Sequence, residues 1–174
     1  MAAKTIPLRS EMADQHKWKL TDIYQSDQAW EDDFQQLKEL MPALQSYKGR
    51  LDSAENLLAC LKLQDQAGMK FDRLYGYAMM SKDQDNANPV YQGFYDRIVG
   101  IGAELGANLA YIEPEILALP ESTVHEWVEQ TPELRIYSHY LDNILRMKPH
   151  TLPTDQEEIL GLHPKNIEIG RAHV

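Results

Sequence analysis

The sequence predicts an all-α fold, a bundle of antiparallel helical hairpins, and three observations carry that prediction. Apolar residues recur three and four positions apart over long stretches, the spacing that places them on one helix face. Cap residues and prolines punctuate those stretches at helix-start positions. No segment of useful length alternates apolar and polar residues, and no internal repeat of roughly 20–50 residues is visible.

Taken in order, the first 25 residues read as an irregular arm. Trp18, Leu20, Ile23 and Tyr24 are its apolar anchors. Ser26 or Asp27 opens the first helix by accepting a hydrogen bond from the free N–H groups of its first turn. Trp30, Phe34, Leu37, Leu40 and Met41 form its inner face, and Gly49, which tolerates a positive φ, is its stop. Asp52 with Glu55 reads as a capping box for the second helix. Its stripe is Leu57, Leu61, Ala67 or Gly68, Phe71, Leu74, Tyr75 and Ala78, running to about Lys82.

Asn88 followed by Pro89 is an N-cap with proline at the first helical position. Tyr91, Phe94, Tyr95, Ile98, Ile101, Leu105, Leu109 and Ile112 repeat behind it at helical spacing. Pro114 and Pro120 bracket a short helix over 115–119, and Ser122 caps another that contains Val124, Trp127 and Val128. Thr131-Pro132-Glu133 starts the next, with Leu134, Tyr137, Tyr140, Leu141, Ile144 and Leu145 inward and Pro149 at its end. Thr154 with Glu157 is a last capping box, ahead of Ile159 and Leu160.

Charge and composition exclude several functions. With 27 acids against 17 bases the net charge is −10, which disfavours nucleic acid and anionic membrane surfaces as partners. The start, 1–10, lacks an apolar signal-peptide core, and no apolar run approaches the roughly 18 residues that span a bilayer. Cys60 is the one cysteine, so an internal disulfide and a cysteine-based zinc site are excluded. Its neighbours Leu57, Leu58, Leu61 and Leu63 mark it as a small buried residue rather than a nucleophile. A reducing cytoplasm is the location these features predict.

No catalytic, cofactor-binding or metal-ligating residue emerges. A helical zinc-peptidase motif needs His-Glu-x-x-His, so that two imidazoles face the same way one turn apart and the Glu activates the metal-bound water. His125-Glu126-Trp127-Val128-Glu129 comes nearest, but Glu129 replaces the second His, and the segment reads as a solvated helix face. His139 and His150 are separated by a helix end. Gly100, Gly102 and Gly106 evoke a phosphate loop, yet Leu105 occupies the third glycine position of the dinucleotide fingerprint and the flanks are helical. Gly93, Gly100, Ala103, Ala107 and Ala110 instead predict close approach of another helix. Of the nine tyrosines, most read as core edge, with some free to line a peptide channel.

Several segments, in this order, resemble the oligoendopeptidase F family. They are Trp18-Lys19-Leu20-Thr21-Asp22-Ile23-Tyr24, Trp30, Leu74-Tyr75-Gly76-Tyr77-Ala78 with Asp83 and Asp85, and Pro114-Glu115-Ile116-Leu117. Further along come Pro132-Glu133-Leu134 through Leu141, and the most specific piece, Arg146-Met147-Lys148-Pro149-His150-Thr151-Leu152 with Glu157-Glu158-Ile159-Leu160. The resemblance covers about 9–160. It implies the N-terminal helical domain of a cytosolic, thimet-oligopeptidase-like zinc metalloendopeptidase whose substrates are short peptides. This domain would form one wall of the substrate channel against a downstream catalytic domain. Zinc ligands and general base would lie in that catalytic domain, so no family site residue carries over onto this chain.

The organisation expected is an arm over 1–25, a helical domain over 26–160 and a tail over 161–174. Gly161-Leu162-His163-Pro164 breaks the last helix, and Ile169-Gly170-Arg171-Ala172-His173-Val174 resembles one reading frame of a common sequencing adapter, so the tail is read as non-native. A reading from another class stays open: a free-standing helical protein-interaction module without peptidase activity.

Overall fold

Ser26 sets the first helix. Its extended backbone and its Oγ, which accepts the Ala29 N–H at 3.2 Å, start α1 (Asp27–Gln45) in the computed structural model, which describes residues 11–150. Five further helices follow: α2 (Ala54–Gln84), α3 (Pro89–Leu109), α4 (Ile112–Ala118), α5 (Glu121–Gln130) and α6 (Ser138–Met147). The described residues contain no strand, and the fold is all-α. The chain divides into two compact units between Glu115 and Ile116.

In the first unit α1, α2 and α3 pack mutually as a three-helix bundle. Its core holds Trp30, Phe34, Leu37, Met41 and Leu44 from α1, Ala67, Leu74, Tyr77 and Ala78 from α2, and Phe94, Ile98, Ile101 and Leu105 from α3. Most are the positions the spacing of three and four marks out, but Leu44 and Tyr77 join them, while Leu40, Phe71, Tyr75, Tyr91 and Tyr95, also expected inward, are only partly buried. Trp30, 0% exposed, stacks on Phe94 at 4.2 Å and on Phe34 at 5.1 Å between ring centroids. Its Nε1–H donates to the Leu74 carbonyl at 2.9 Å. One side chain of α1 therefore touches α3 by stacking and α2 by a hydrogen bond.

Arg97 closes this cluster from outside. Its guanidinium lies over Phe34 and Trp30 and donates through both Nη atoms to the Glu31 carboxylate. The hydrogen bond from Arg97 holds the Glu31 carboxyl below its ordinary value against the opposing effect of burial. A second cross-link joins Lys70 Nζ to Asp33 Oδ1 at 2.6 Å. Farther along, Tyr111 donates to the Leu44 carbonyl at 2.6 Å, and the Gly49 N–H donates to Glu115 at 2.6 Å.

In the second unit α5, a 3-10 segment (Pro132–Tyr137) and α6 pack on one another through Val124, Leu134, Tyr137, Leu141, Ile144 and Leu145. Lys148 Nζ donates to the Leu119 carbonyl at 2.7 Å.

The structure corrects several element boundaries. The second helix is capped by Ser53, whose Oγ accepts the Asn56 N–H at 3.2 Å, and not by Asp52 and Glu55. Ile112 starts α4 instead of ending α3, because a proline in a helix's first turn (here Pro114) removes no intrahelical bond. Pro120 occupies the cap position of α5, which leaves Ser122 inside the helix. Thr131 makes no side-chain cap, and the segment behind it winds as a 3-10 helix before α6 begins at Ser138. Gly49 has the positive φ foreseen for it, 75°, three turn residues after α1 ends. The capping box at Thr154 and Glu157 and the tail lie outside the described residues.

Two outcomes test this core. Trp30→Ala is expected to lower unfolding stability by about 3–5 kcal/mol, read from the urea midpoint, since it empties a buried site and strips three contacts at once. Glu31→Gln should cost roughly 0.5–1 kcal/mol near neutrality, as a partly exposed pair does. Because the folded Glu31 titrates low, its contribution is complete above the ordinary glutamate range and disappears as pH falls through the lowered value. The gap between wild type and variant should therefore close in acid, and a gap independent of pH would refute the assignment.

Candidate functional site

A concavity opens in the first unit. It lies where the arm runs past the start of α1, the end of α2 and the start of α3, with a volume near 870 Å³. The described part of the arm includes 3-10 turns at Asp14–His16 and Leu20–Asp22, and both polar contacts and burial hold it. Arg73 of α2 donates twice to the Ile23 carbonyl, at 2.6 and 3.2 Å, and lays its guanidinium over the Tyr24 ring. Gln84 donates to the Trp18 carbonyl at 3.4 Å. Leu20 and Ile23 pack against the core and Tyr24 is buried, as expected of anchors. Trp18 departs from that expectation: it is 51% exposed and lines the cleft.

Tyr24, Asp27 and Tyr77 line the cleft, and each tyrosine is bonded to a carboxylate. Tyr24 donates to Asp33 at 2.7 Å and Tyr77 donates to Asp27 at 2.7 Å, and the two rings meet edge to face at 5.5 Å. Burial, with the hydrogen bond to a carboxylate added, pushes both phenols well above the ordinary tyrosine range. Burial opposes the charge on Asp33, but the hydrogen bonds from Lys70 and Tyr24 outweigh it and hold its carboxyl low. Asp33 thus stays charged beside the neutral phenols. That carboxylate can accept hydrogen bonds and attract cations, while the phenols are too weakly acidic to serve as bases.

The other singled-out residues sit elsewhere. Cys60 is fully buried, its Sγ is 3.4 Å from the Tyr111 hydroxyl, and burial pushes its thiol up despite that hydrogen bond. A thiol in that setting is no nucleophile. His125 faces Asp142 at 3.3 Å, Glu126 accepts from Gln130, and the Glu129 carbonyl accepts from Arg135. Among the described residues no three His, Cys, Asp or Glu side chains converge, so they offer no donor set that fits a zinc ion. His139 pairs with Asn143 at 3.0 Å.

Gly100, Gly102 and Gly106 lie inside α3. The small-residue stripe is corrected at its first members. A Cβ at Gly93 or Gly100 would meet nothing within 4 Å, and Ala103, Ala107 and Ala110 are exposed. Close approach occurs at Gly102 instead, where a Cβ would stand 2.8 Å from the Phe71 ring of α2. The other tyrosines divide: Tyr91 lines the cleft, Tyr75 and Tyr95 meet at 5.8 Å and pack against the core, and Tyr111 and Tyr137 are buried.

The family model described as Oligopeptidase F matches residues 115–163. Oligopeptidase PepF of Bacillus subtilis is 40% identical over 160 residues, covering 91% of this chain and 24% of the relative. The chain belongs to the oligoendopeptidase F family. The chromosomal oligoendopeptidase F of Lactococcus lactis subsp. cremoris is 33% identical over 83% of this chain and 24% of its own length. Two crystal structures agree with the fold. A Chlamydophila abortus protein described as a peptidase superposes with a TM-score of 0.80 at 29% identity, over 91% of this chain and 27% of that one. Oligoendopeptidase-F from Enterococcus faecium gives 0.67 at 29% identity, over 78% and 27%. The chain therefore spans about a quarter of the length of these oligoendopeptidase F relatives, as part of the family's N-terminal region.

The family-like segments of the sequence supply the arm, the Leu74 carbonyl and Tyr77 that anchor α1, and α4 with α6. Sequence reasoning missed Asp27, Arg73 and Ser81 as cleft-building residues. The partners of Asp27 and Arg73 lie 50 positions away in the chain, and the one available signal was the one-turn spacing of Tyr77 and Ser81 on α2.

The glycine geometry predicts opposite outcomes for two neighbours. Gly100→Ala should stabilise the protein by about 0.5–1 kcal/mol, since it adds helix propensity in open space. Gly102→Ala must displace Phe71 and should come out at least about 1 kcal/mol less stable than Gly100→Ala. Thermal melts of the two variants check the difference.

Proposed function

We propose that this chain is the N-terminal part of a zinc metalloendopeptidase that hydrolyses short oligopeptides. In that protein its helices form a wall of the substrate channel and take no part in the chemistry. The observation that supports this reading most is the 40% identity to an oligopeptidase along 91% of the chain. The donor chemistry is compatible with it: His125 and His139 pair with Asp142 and Asn143, and Cys60 is buried. The zinc ligands and the general base would then belong to the three quarters of the relatives' length that this chain does not span. Zinc would supply the polarised water, whereas these residues would bound the space available to a peptide and so exclude folded proteins. Residues 1–25 act as the arm of the helical domain, and the site of action is the cytoplasm. No described helix is long and apolar enough to cross a membrane.

The test compares this chain with the full-length product of its gene. The full-length protein should encode an in-frame His-Glu-x-x-His downstream, bind one zinc per chain by atomic absorption, and cleave internal bonds of a fluorogenic oligopeptide until a chelator is added. The 174-residue chain should do neither. A full-length protein without metal or peptidase activity would overturn the reading.

A further inference from the structure

Tyrosine rings meet in pairs in the first unit, and the pairs differ in what their hydroxyls face. Tyr24 and Tyr77 meet edge to face at 5.5 Å; both are buried, and each hydroxyl donates to its own carboxylate. Tyr75 of α2 and Tyr95 of α3 are half-buried, with ring centroids 5.8 Å apart and planes inclined by 47°. In this pair hydroxyl is bonded to hydroxyl. Such a bond brings the two C–O edges together, and the ring carbons beside them come with it. Those ortho carbons carry much of the unpaired spin once a phenol has lost its hydrogen atom.

The surroundings fix both the geometry and the kind of oxidant. Phe71 stacks on Tyr75 at 5.9 Å, and the Lys82 ammonium lies 4.0 Å over the Tyr95 ring. That cation opposes removal of an electron alone, because a positive ring would sit beside it. Removal of a whole hydrogen atom from the hydroxyl creates no charge and meets no such barrier. Partial exposure lets a small radical reach the hydroxyls, whereas Tyr24 and Tyr77 are closed to it. Two phenoxyl radicals held side by side couple as one unimolecular step instead of waiting for an encounter.

We propose that Tyr75 and Tyr95 form an oxidative cross-linking site, at which peroxyl radicals convert the pair into a dityrosine that joins α2 to α3. Each of two peroxyl radicals takes one O–H hydrogen atom and leaves as a hydroperoxide. The two phenoxyl radicals then form one ortho carbon–carbon bond. Each joined carbon gives up its hydrogen as a proton while each oxygen regains one, which restores both aromatic rings. The product is two hydrogen atoms lighter than the starting chain. It closes a covalent loop from 75 to 95 across the turn between the two helices. The pair reacts in this way whether or not the longer protein is a peptidase.

The experiment exposes the 174-residue chain, in aerated buffer, to a water-soluble azo initiator that releases peroxyl radicals. Dityrosine fluorescence should appear in the monomer band of a denaturing gel. Peptide mass mapping should place the cross-link between Tyr75 and Tyr95. Tyr75→Phe and Tyr95→Phe should each abolish it. Both variants keep the ring and lose the hydroxyl alone, and an unchanged thermal melt checks that the bundle persists. Urea-unfolded wild type should lose the preference for this pair, since the fold is what holds the rings together. Absence of dityrosine, a cross-link mapped mainly to other tyrosines or between molecules, its survival in either variant, or the same pairing in urea would overturn the proposal.

Discussion

The indole of Trp30 is the contact on which the first unit depends. It is the point where three helices converge: Phe94 covers one face of its ring, Phe34 lies beside it, and its N–H is bonded to the Leu74 carbonyl. Stacking alone tolerates sliding and rotation. A hydrogen bond between a ring nitrogen and one particular backbone oxygen does not, because its strength falls steeply with angle and distance. The stack brings α1 against α3, and the single bond sets the axial register of α1 against α2.

That register has consequences one turn away. With Leu74 opposite Trp30, Tyr77 falls beside Asp27 at the start of α1, and Arg73 falls beside the backbone of Ile23. The arm is thus positioned by polar contacts to α2 that exist only if α2 is held in this register. The cleft is a by-product of the same geometry. A polar arm cannot collapse fully onto an apolar surface, so it bridges the start of α1 and the end of α2 and leaves space beneath. Its most exposed anchor, Trp18, borders that space instead of filling the core.

The helices were legible in the sequence because each carries its own signal. Asn88-Pro89 and Ser26 are local devices, and each caps the helix it appeared to cap. Boundaries failed where two local signals competed within a few residues. Asp52 and Ser53 are both good caps, and the choice went to the residue whose side chain reaches the third N–H of the helix. At Ile112 a helical apolar spacing continued through a real break, since periodicity records a face and not a chain reversal. The small-residue stripe failed for a related reason. Glycine and alanine permit close approach but do not compel it, and the approach happened at Gly102.

The sequence by itself determined the class of fold, the family, the inward faces of the helices and the inert character of Cys60. All of these depend on order and spacing along one chain. Only the tertiary structure decided which carboxylate each tyrosine would meet and that His125 would turn to Asp142. Those pairings join residues as many as 50 positions apart. Hydrogen bonds and ion pairs act over a few ångströms, so they come into being only once the apolar faces have packed and brought their partners within reach.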